Sequence, residues 1–267
     1  MGTNITSKKD WLSLKPASKT SHKGENGRLL IFAGSPLYHG ALILAINAAV
    51  RFCDLIYVFT SEQNVPLLNG LKEQSPNIIV LTPRSIQPFF SKIDAYLVGP
   101  GWEENEQNKS LLSKLLKTKN PIVIDATALK LLDLSLLHKN ALLTPHAGEF
   151  ESLFKLSANA ENAKAMAKKY KCTILLKGPT DYIASPLRLK ANTTHDVGMT
   201  KGGTGDVLAG LCAAIFSTQK SAYKSACAAA FLNGYAGTLL AKRMGPNYSS
   251  QDLANELAVA AHELSKK

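Results

Sequence analysis

Two glycine signatures of nucleotide-binding proteins are missing from this chain. It has no G-x-x-x-x-G-K-[ST] run and no glycines in the order G-x-G-x-x-G, which excludes a P-loop and a Rossmann phosphate turn. Cysteine is scarce. Cys53, Cys172, Cys212 and Cys227 form no C-x-x-C pair, and the histidines show no zinc spacing. Each cysteine sits in or beside an apolar stretch, so reduced, mostly buried thiols in a cytoplasmic protein are expected. Long apolar runs are lacking too. The opening "MGTNITSKKDWLSLKPASKTSHKG" has no apolar leader core, so no secretory signal is expected. The apolar stretches near 41–50 and 206–216 are too short to span a bilayer, and the one at 225–241 is broken by Asn233 and small residues. All three read as buried helices, with no membrane partner.

Acidic residues are outnumbered: 31 Lys and Arg face 20 Asp and Glu, a formal charge of +11. This balance favours anionic partners such as nucleotides. The lysines are scattered and no basic run is interleaved with aromatics, so nucleic acid is not the expected partner and most of the charge is solvated surface.

With 267 residues, of which 45% are hydrophobic and 19% charged, the chain suits one large α/β domain or two small ones. Neither a linker nor a repeat divides it. One domain is therefore expected over 21–267, preceded by a lead at 1–20. Short apolar runs at 28–34, 55–60, 77–82, 94–101, 121–127, 140–146 and 172–178 read as buried strands. Helical patterns at 38–52, 108–119 and 158–170 fall between them. This alternation predicts a mostly parallel sheet covered on both faces. Two runs flanking Ser185-Pro186, within 181–191, predict a hairpin at a sheet edge. Helices over 206–217, 221–242 and 251–265 close the chain.

In such a sheet ligands bind beyond the carboxyl ends of the strands. Gly34-Ser35, Gly99-Pro100-Gly101, Asp125, Thr144-Pro145-His146 and Lys177-Gly178 each close a predicted strand, which describes a long cleft. The most pointed stretch is "GGTGDVLAG" at 202–210, where glycines run into a helix. Opening amides of a helix lack intrahelical partners and carry partial positive charge, and glycine lets a phosphate approach them. Gly203, Thr204 and Gly205 can form an anion hole, with Asp206 taking a proton from an attacking hydroxyl. Equally, Thr204 or Asp206 can be a helix cap beside a tight turn. In "TPHAGEF" His146 and Glu149 are either substrate contacts or partners in a helix N-terminus. Asn47, in the first long helix, either faces the cleft or is satisfied within its layer.

Six stretches carry a resemblance when taken in order: "SHKGENGRLLIFAGSPLYHGA" (21–41), "VGPG" (98–101), "VIDATAL" (123–129), "LLTPHAGEF" (142–150), "LLKG" (175–178) and "GMTKGGTGDVLAG" (198–210), the last with its "GGTGDVLAG" set before an apolar helix. Together they resemble the ADP/ATP-dependent NAD(P)H-hydrate dehydratase family of the ribokinase-like superfamily. The similarity covers about residues 20–260. It implies a three-layer α/β/α fold with a mostly parallel central sheet. It also implies a lyase that repairs the S epimer of hydrated NADH or NADPH at the expense of ADP or ATP, by phosphorylating the ring hydroxyl and eliminating phosphate.

By position, the resemblance makes Asp206 the general base and a substrate contact, and Gly203, Thr204 and Gly205 the anion hole. Lys177, Gly178, Pro179, Thr180 and Asp181 become the nucleotide-binding segment, with Gly205 also near the nucleotide. Ala41, Gly101 and His146 line the hydrated dinucleotide. Mg²⁺ is expected with the nucleotide, and a homo-oligomer, such as a tetramer, is implied. The epimerase domain frequent in the family is not expected ahead of residue 21. A vitamin-precursor kinase of the same superfamily is the competing reading. The chain departs from the family at Trp102-Glu103, at His195-Asp196 and at Lys201. The Lys201 ammonium either strengthens nucleotide binding or points to solvent.

Overall fold

The computed structural model describes residues 4–266. Residues 1–3 of the expected lead and Lys267 lie outside them. Ten strands form one sheet: β1 (Asn4–Ile5), β2 (Arg28–Phe32), β3 (Leu55–Phe59), β4 (Ile78–Val80), β5 (Ala95–Val98), β6 (Ile122–Ile124), β7 (Ala141–Leu143), β8 (Thr173–Leu176), β9 (Asp181–Ala184) and β10 (Leu189–Asn192). Their order is β1-β10-β9-β8-β7-β6-β5-β2-β3-β4. Among the described residues only the β8/β9 and β9/β10 pairs are antiparallel. The chain moves outward from β2 through β3 to β4, then returns to β5 on the other side of β2. That reversal leaves a crevice between the ends of β2 and β5, where open α/β sheets bind ligands.

Alternation along the strands explains the layers. In β2, Leu29 and Ile31 enter one core while Leu30 and Phe32 enter the other. The first core is roofed by α2 (His39–Ala49), α3 (Val65–Gln74), α8 (Thr204–Gln219), α9 (Ala222–Met244) and α10 (Ser250–Ser265). The second is roofed by α4 (Glu106–Lys117), α5 (Thr127–Lys130), α6 (Ala147–Phe154) and α7 (Ala160–Tyr170). This is the three-layer arrangement expected from the alternating strands and helices. All four cysteines are free and buried. Burial pushes the thiols of Cys53, Cys172 and Cys227 up to about 12, which leaves them protonated and inert.

Two expectations need correcting. The lead supplies β1, which pairs in parallel with β10, and a short helix α1 (Lys8–Leu12) whose Trp11 packs on the first core. The β9–β10 hairpin is therefore covered on its outer side by β1, so it is not the edge. Two residues with no apolar alternation around them gave no periodic signal for a strand. Lys190 on β10 pairs with Asp10 of α1 at 2.6 Å, fastening the lead across the hairpin.

The placement of α8 depends on one glycine. A Cβ on Gly210 would lie 2.2 Å from the Ala45 carbonyl oxygen of α2, so the two helices meet backbone to backbone. In an exposed helix, replacing glycine by alanine gains up to ~1 kcal/mol. Here the sign should reverse: Gly210→Ala should lower stability by about 2 kcal/mol through overpacking, measured by urea unfolding, and an unchanged or raised midpoint would refute the close contact.

Candidate active site

The site is assembled where the strands end. Beyond β2 and β5 the two chains lock together: the Gly34 amide donates to the Pro100 carbonyl at 2.8 Å, and Gly99 donates to that of Phe32 at 3.1 Å. Gly101 has φ +67°, and a Cβ there would be 2.3 Å from the Tyr38 carbonyl and 3.2 Å from the Ala41 side chain. Gly101 and Ala41 are thus brought face to face at the crevice, and a side chain at residue 101 would close it. Trp102 turns into the second core and leaves Glu103 exposed, and both line a small cavity with Gly34 and Ser35 at the end of β2.

Beyond β6, β7 and β8 lies a buried charge pair. The Lys177 ammonium donates to Asp125 Oδ1 at 2.8 Å, and the Thr144 hydroxyl donates to the same oxygen at 2.8 Å. Asp125 was visible in the sequence only as a polar residue at a strand end. Its pairing with Lys177 was not, because 52 residues separate them. Burial alone would pull the Lys177 ammonium down, but Asp125, Glu149 and Asp206 together hold it above its ordinary value, so it stays charged.

Above this pair sits the glycine loop. Gly203 is the N-cap of α8 with φ +93°, and a Cβ there would strike Leu44 Cδ1 at 2.4 Å. Neither Thr204 nor Asp206 caps the helix. The Thr204 hydroxyl instead donates to the Met199 and Lys201 carbonyls, at 2.7 and 2.9 Å, and locks the loop. Among the described residues no side chain caps α8; the Thr204 amide donates to the Lys201 carbonyl at 3.4 Å, and the Gly205 and Asp206 amides are left for a ligand or water. A Cβ on Gly205 would lie 3.5 Å from Lys177 Nζ, which puts the ammonium directly against the loop. Asp206 is drawn up to about 7, chiefly by burial and then by Asp125, with Lys177 opposing and Glu149 adding a little. A carboxylate poised near neutrality suits a general base.

The remaining expected residues fall around this centre. Gly178, Pro179 and Thr180 form the turn after Lys177, with Gly178 and Pro179 exposed. Asp181 closes that turn: its carboxylate accepts from the Gly178 amide at 3.1 Å and from Asn192 at 3.0 Å. His146 is the N-cap of α6. Its Nδ1 accepts from the Glu149 amide at 3.2 Å, and the Glu149 carboxylate accepts from the His146 amide at 2.8 Å. This reciprocal cap orients the ring with Nε2 as its N–H donor. An open groove of about 770 Å³ starts at His146 and Glu149 and passes Thr127, Lys130 and Lys155. Asn47 donates to Gln251 at 2.8 Å, joining α2 to α10.

Lys201 is exposed, but its ammonium is held against backbone carbonyls rather than extended into solvent or toward the glycine loop. Its ammonium donates to the carbonyls of Pro246 and of Tyr248, the latter at 2.7 Å, and lies 5.3 Å from the Tyr248 ring centroid. Asp196 caps the 3₁₀ turn Val197–Thr200 and accepts from the Tyr248 hydroxyl at 3.1 Å. Both departures therefore belong to the scaffold behind the loop.

A glycine-opened helix facing strand ends, within three α/β/α layers, defines the ribokinase-like class. A ribokinase-like superfamily protein of Enterococcus faecalis has the same fold, with TM-score 0.88, 98% of this chain and 96% of that one covered, and 23% identity. A family model described as NAD(P)H-hydrate dehydratase matches residues 29–258, and the chain belongs to this family. It is 37% identical to the ADP-dependent (S)-NAD(P)H-hydrate dehydratase of Nitrosopumilus maritimus, covering 94% of each. It is also 37% identical to the bifunctional NAD(P)H-hydrate repair enzyme of Methanocaldococcus jannaschii, covering 93% of this chain and 50% of that protein. The chain thus spans about half the length of its bifunctional relatives. The Bacillus subtilis ADP/ATP-dependent NAD(P)H-hydrate dehydratase, co-crystallised with ATP and Mg²⁺, matches with TM-score 0.87, 25% identity, and 99% and 100% coverage.

The Lys201 contacts yield a test. Lys201→Met should leave nucleotide affinity within about twofold, because the ammonium faces carbonyls rather than phosphate, while lowering the unfolding temperature by about 2–4 °C. Calorimetric titration with ADP and a thermal melt check both, and a large loss of affinity would return Lys201 to the nucleotide.

Proposed function

We propose that this protein is an ADP- or ATP-dependent (S)-NAD(P)H-hydrate dehydratase, which repairs hydrated NADH or NADPH. The observation that carries the reading is Asp206, poised near neutrality beside the uncapped start of α8. The opening amides of α8, with Gly203, Thr204 and Gly205, hold the phosphoryl group as it moves, and Lys177 balances its charge. Asp206 takes the proton of the ring hydroxyl as that oxygen attacks phosphorus, and the bond from phosphorus to the departing nucleotide breaks. The carbon–oxygen bond then breaks, driven by the ring nitrogen lone pair. Phosphate leaves, and loss of a proton from the adjacent ring carbon restores the dihydronicotinamide double bond. Hydroxide is a poor leaving group and phosphate a good one, which is what nucleotide consumption achieves.

Ala41, Gly101 and His146 border the hydrated ring and its dinucleotide, and the groove beyond His146 gives the rest of the molecule room. Residues 177–181 carry the nucleotide at the opposite side of Asp206. Among the described residues no cluster of three metal-ligating side chains exists. That fits Mg²⁺ arriving on the nucleotide phosphates with its own water, where it supplies charge neutralisation. The same reading takes the protein as one domain that includes its lead, cytoplasmic, and a homo-oligomer, tetrameric as the family resemblance implies. Sedimentation at working concentration tests the last point, and a monomer would refute it.

Supplying hydrated NADH with ADP or ATP should return absorbance at about 340 nm. No return, together with stable phosphorylation of another alcohol, would make the protein a kinase. Asp206→Asn should cut turnover by about 10²–10⁴-fold with nucleotide affinity largely kept. The base must be ionised, so the rate should fall as pH drops through about 7. A rate that stays level down to about pH 5 would remove Asp206 as the base.

A further inference from the structure

Asp125 has so far been only a charge partner of its neighbours, although it stands at the middle of the site. It ends β6 and is buried, at 2% exposure. One of its oxygens holds both Lys177 and Thr144, each at 2.8 Å. Its backbone carbonyl is the atom against which Gly99 packs, since a Cβ on Gly99 would come within 2.0 Å of it. The next residue, Ala126, has φ +50°, a left-handed value that a methyl-bearing residue rarely takes and that neighbours must enforce. A lysine has a flexible four-carbon stem and no preferred pose of its own. Something must keep its ammonium against Gly205, and Asp125 is the group bonded to it.

We propose that Asp125 is a positioning residue: it fixes the Lys177 ammonium beneath the glycine loop and, through that pair, sets the charge against which Asp206 works. The proposal rests on the reading of Asp206 as the base. Three charged groups influence Asp206, namely Asp125 from β6, Glu149 from α6 and Lys177 from β8, and His146 is bonded to Glu149. The anion and the cation of the buried pair act on Asp206 in opposite directions. Removing either half should therefore move its titration in opposite senses, which simple damage to the fold would not do.

Asp125→Asn keeps the shape, removes a negative neighbour and frees Lys177 toward Asp206. The Asp206 carboxyl should then titrate about one unit lower, and the acid limb of the rate profile should follow it. Without its anchor Lys177 still attracts phosphate, so kcat should fall at least about tenfold while the nucleotide KM stays level or drops. Lys177→Gln leaves Asp125 unbalanced, and Asp206 should titrate about one unit higher. Carbon-13 NMR of the ligand-free protein, with Asp206→Asn as the assignment control, reads both shifts without turnover.

Shifts of opposite sign support the proposal; shifts of one sign, or none in Asp125→Asn, overturn it. Should Asp125→Asn fail to fold, Lys177→Gln decides alone, and an Asp206 titration that does not rise overturns the proposal. If the NMR shifts appear while wild-type protein restores no hydrated dinucleotide with either nucleotide, the charge coupling stands and the dehydratase reading falls.

Discussion

An ammonium and a carboxylate removed from water are unfavourable unless they are held close and well supplied with hydrogen bonds. Lys177 and Asp125 meet that condition at 2.8 Å, with Thr144 as a second donor to the carboxylate. The pair joins the ends of β6, β7 and β8 into one rigid rim. The helix α8 is brought down to the same rim by its backbone contact with α2. The cleft is therefore a junction of two constraints: strands in a parallel sheet that end on one edge, and a helix whose first turn has nowhere else to go.

The chemistry inferred for the site uses its charges sparingly. A phosphoryl group is strongly anionic, and so is a base that must be ionised beside it. Placing both within a few ångströms requires a cation close to each and a carboxylate that does not ionise too readily. Burial of Asp206 raises its proton affinity, and the Lys177 ammonium limits how far. The same cleft can serve phosphorylation and the elimination that follows, since both need negative charge on oxygen to be met by fixed dipoles and a fixed ammonium.

Much of the fold was legible in the sequence for a plain reason. Strands buried on both faces must be apolar throughout, and β5, β6 and all of β2 after Arg28 are. The glycines and polar residues that end them stood out against that background. The two-residue strand β1 was not legible, because nothing in "NI" distinguishes it from a polar lead until β10 is there to pair with it. The site was legible only as a set of positions. Local spacing offered Thr204 or Asp206 as a cap, whereas Gly203 takes that place with no side chain at all, and the loop is tied from within by the Thr204 hydroxyl. The place of Lys201 in the chain left nucleotide and solvent as its alternatives, but the carbonyls that receive it lie 45 and 47 residues away. Pairings of this kind are set by tertiary packing, which a single sequence does not display.

Ala126 carries a further meaning. Glycine would adopt its backbone geometry freely, so a methyl group there marks a turn kept under tension by its surroundings rather than by its own preference. Tension of this sort is released when the surroundings loosen. The place of the neighbouring Asp125 carboxylate therefore depends on the packing around this bend, including the close approach of Gly99, as well as on its own hydrogen bonds.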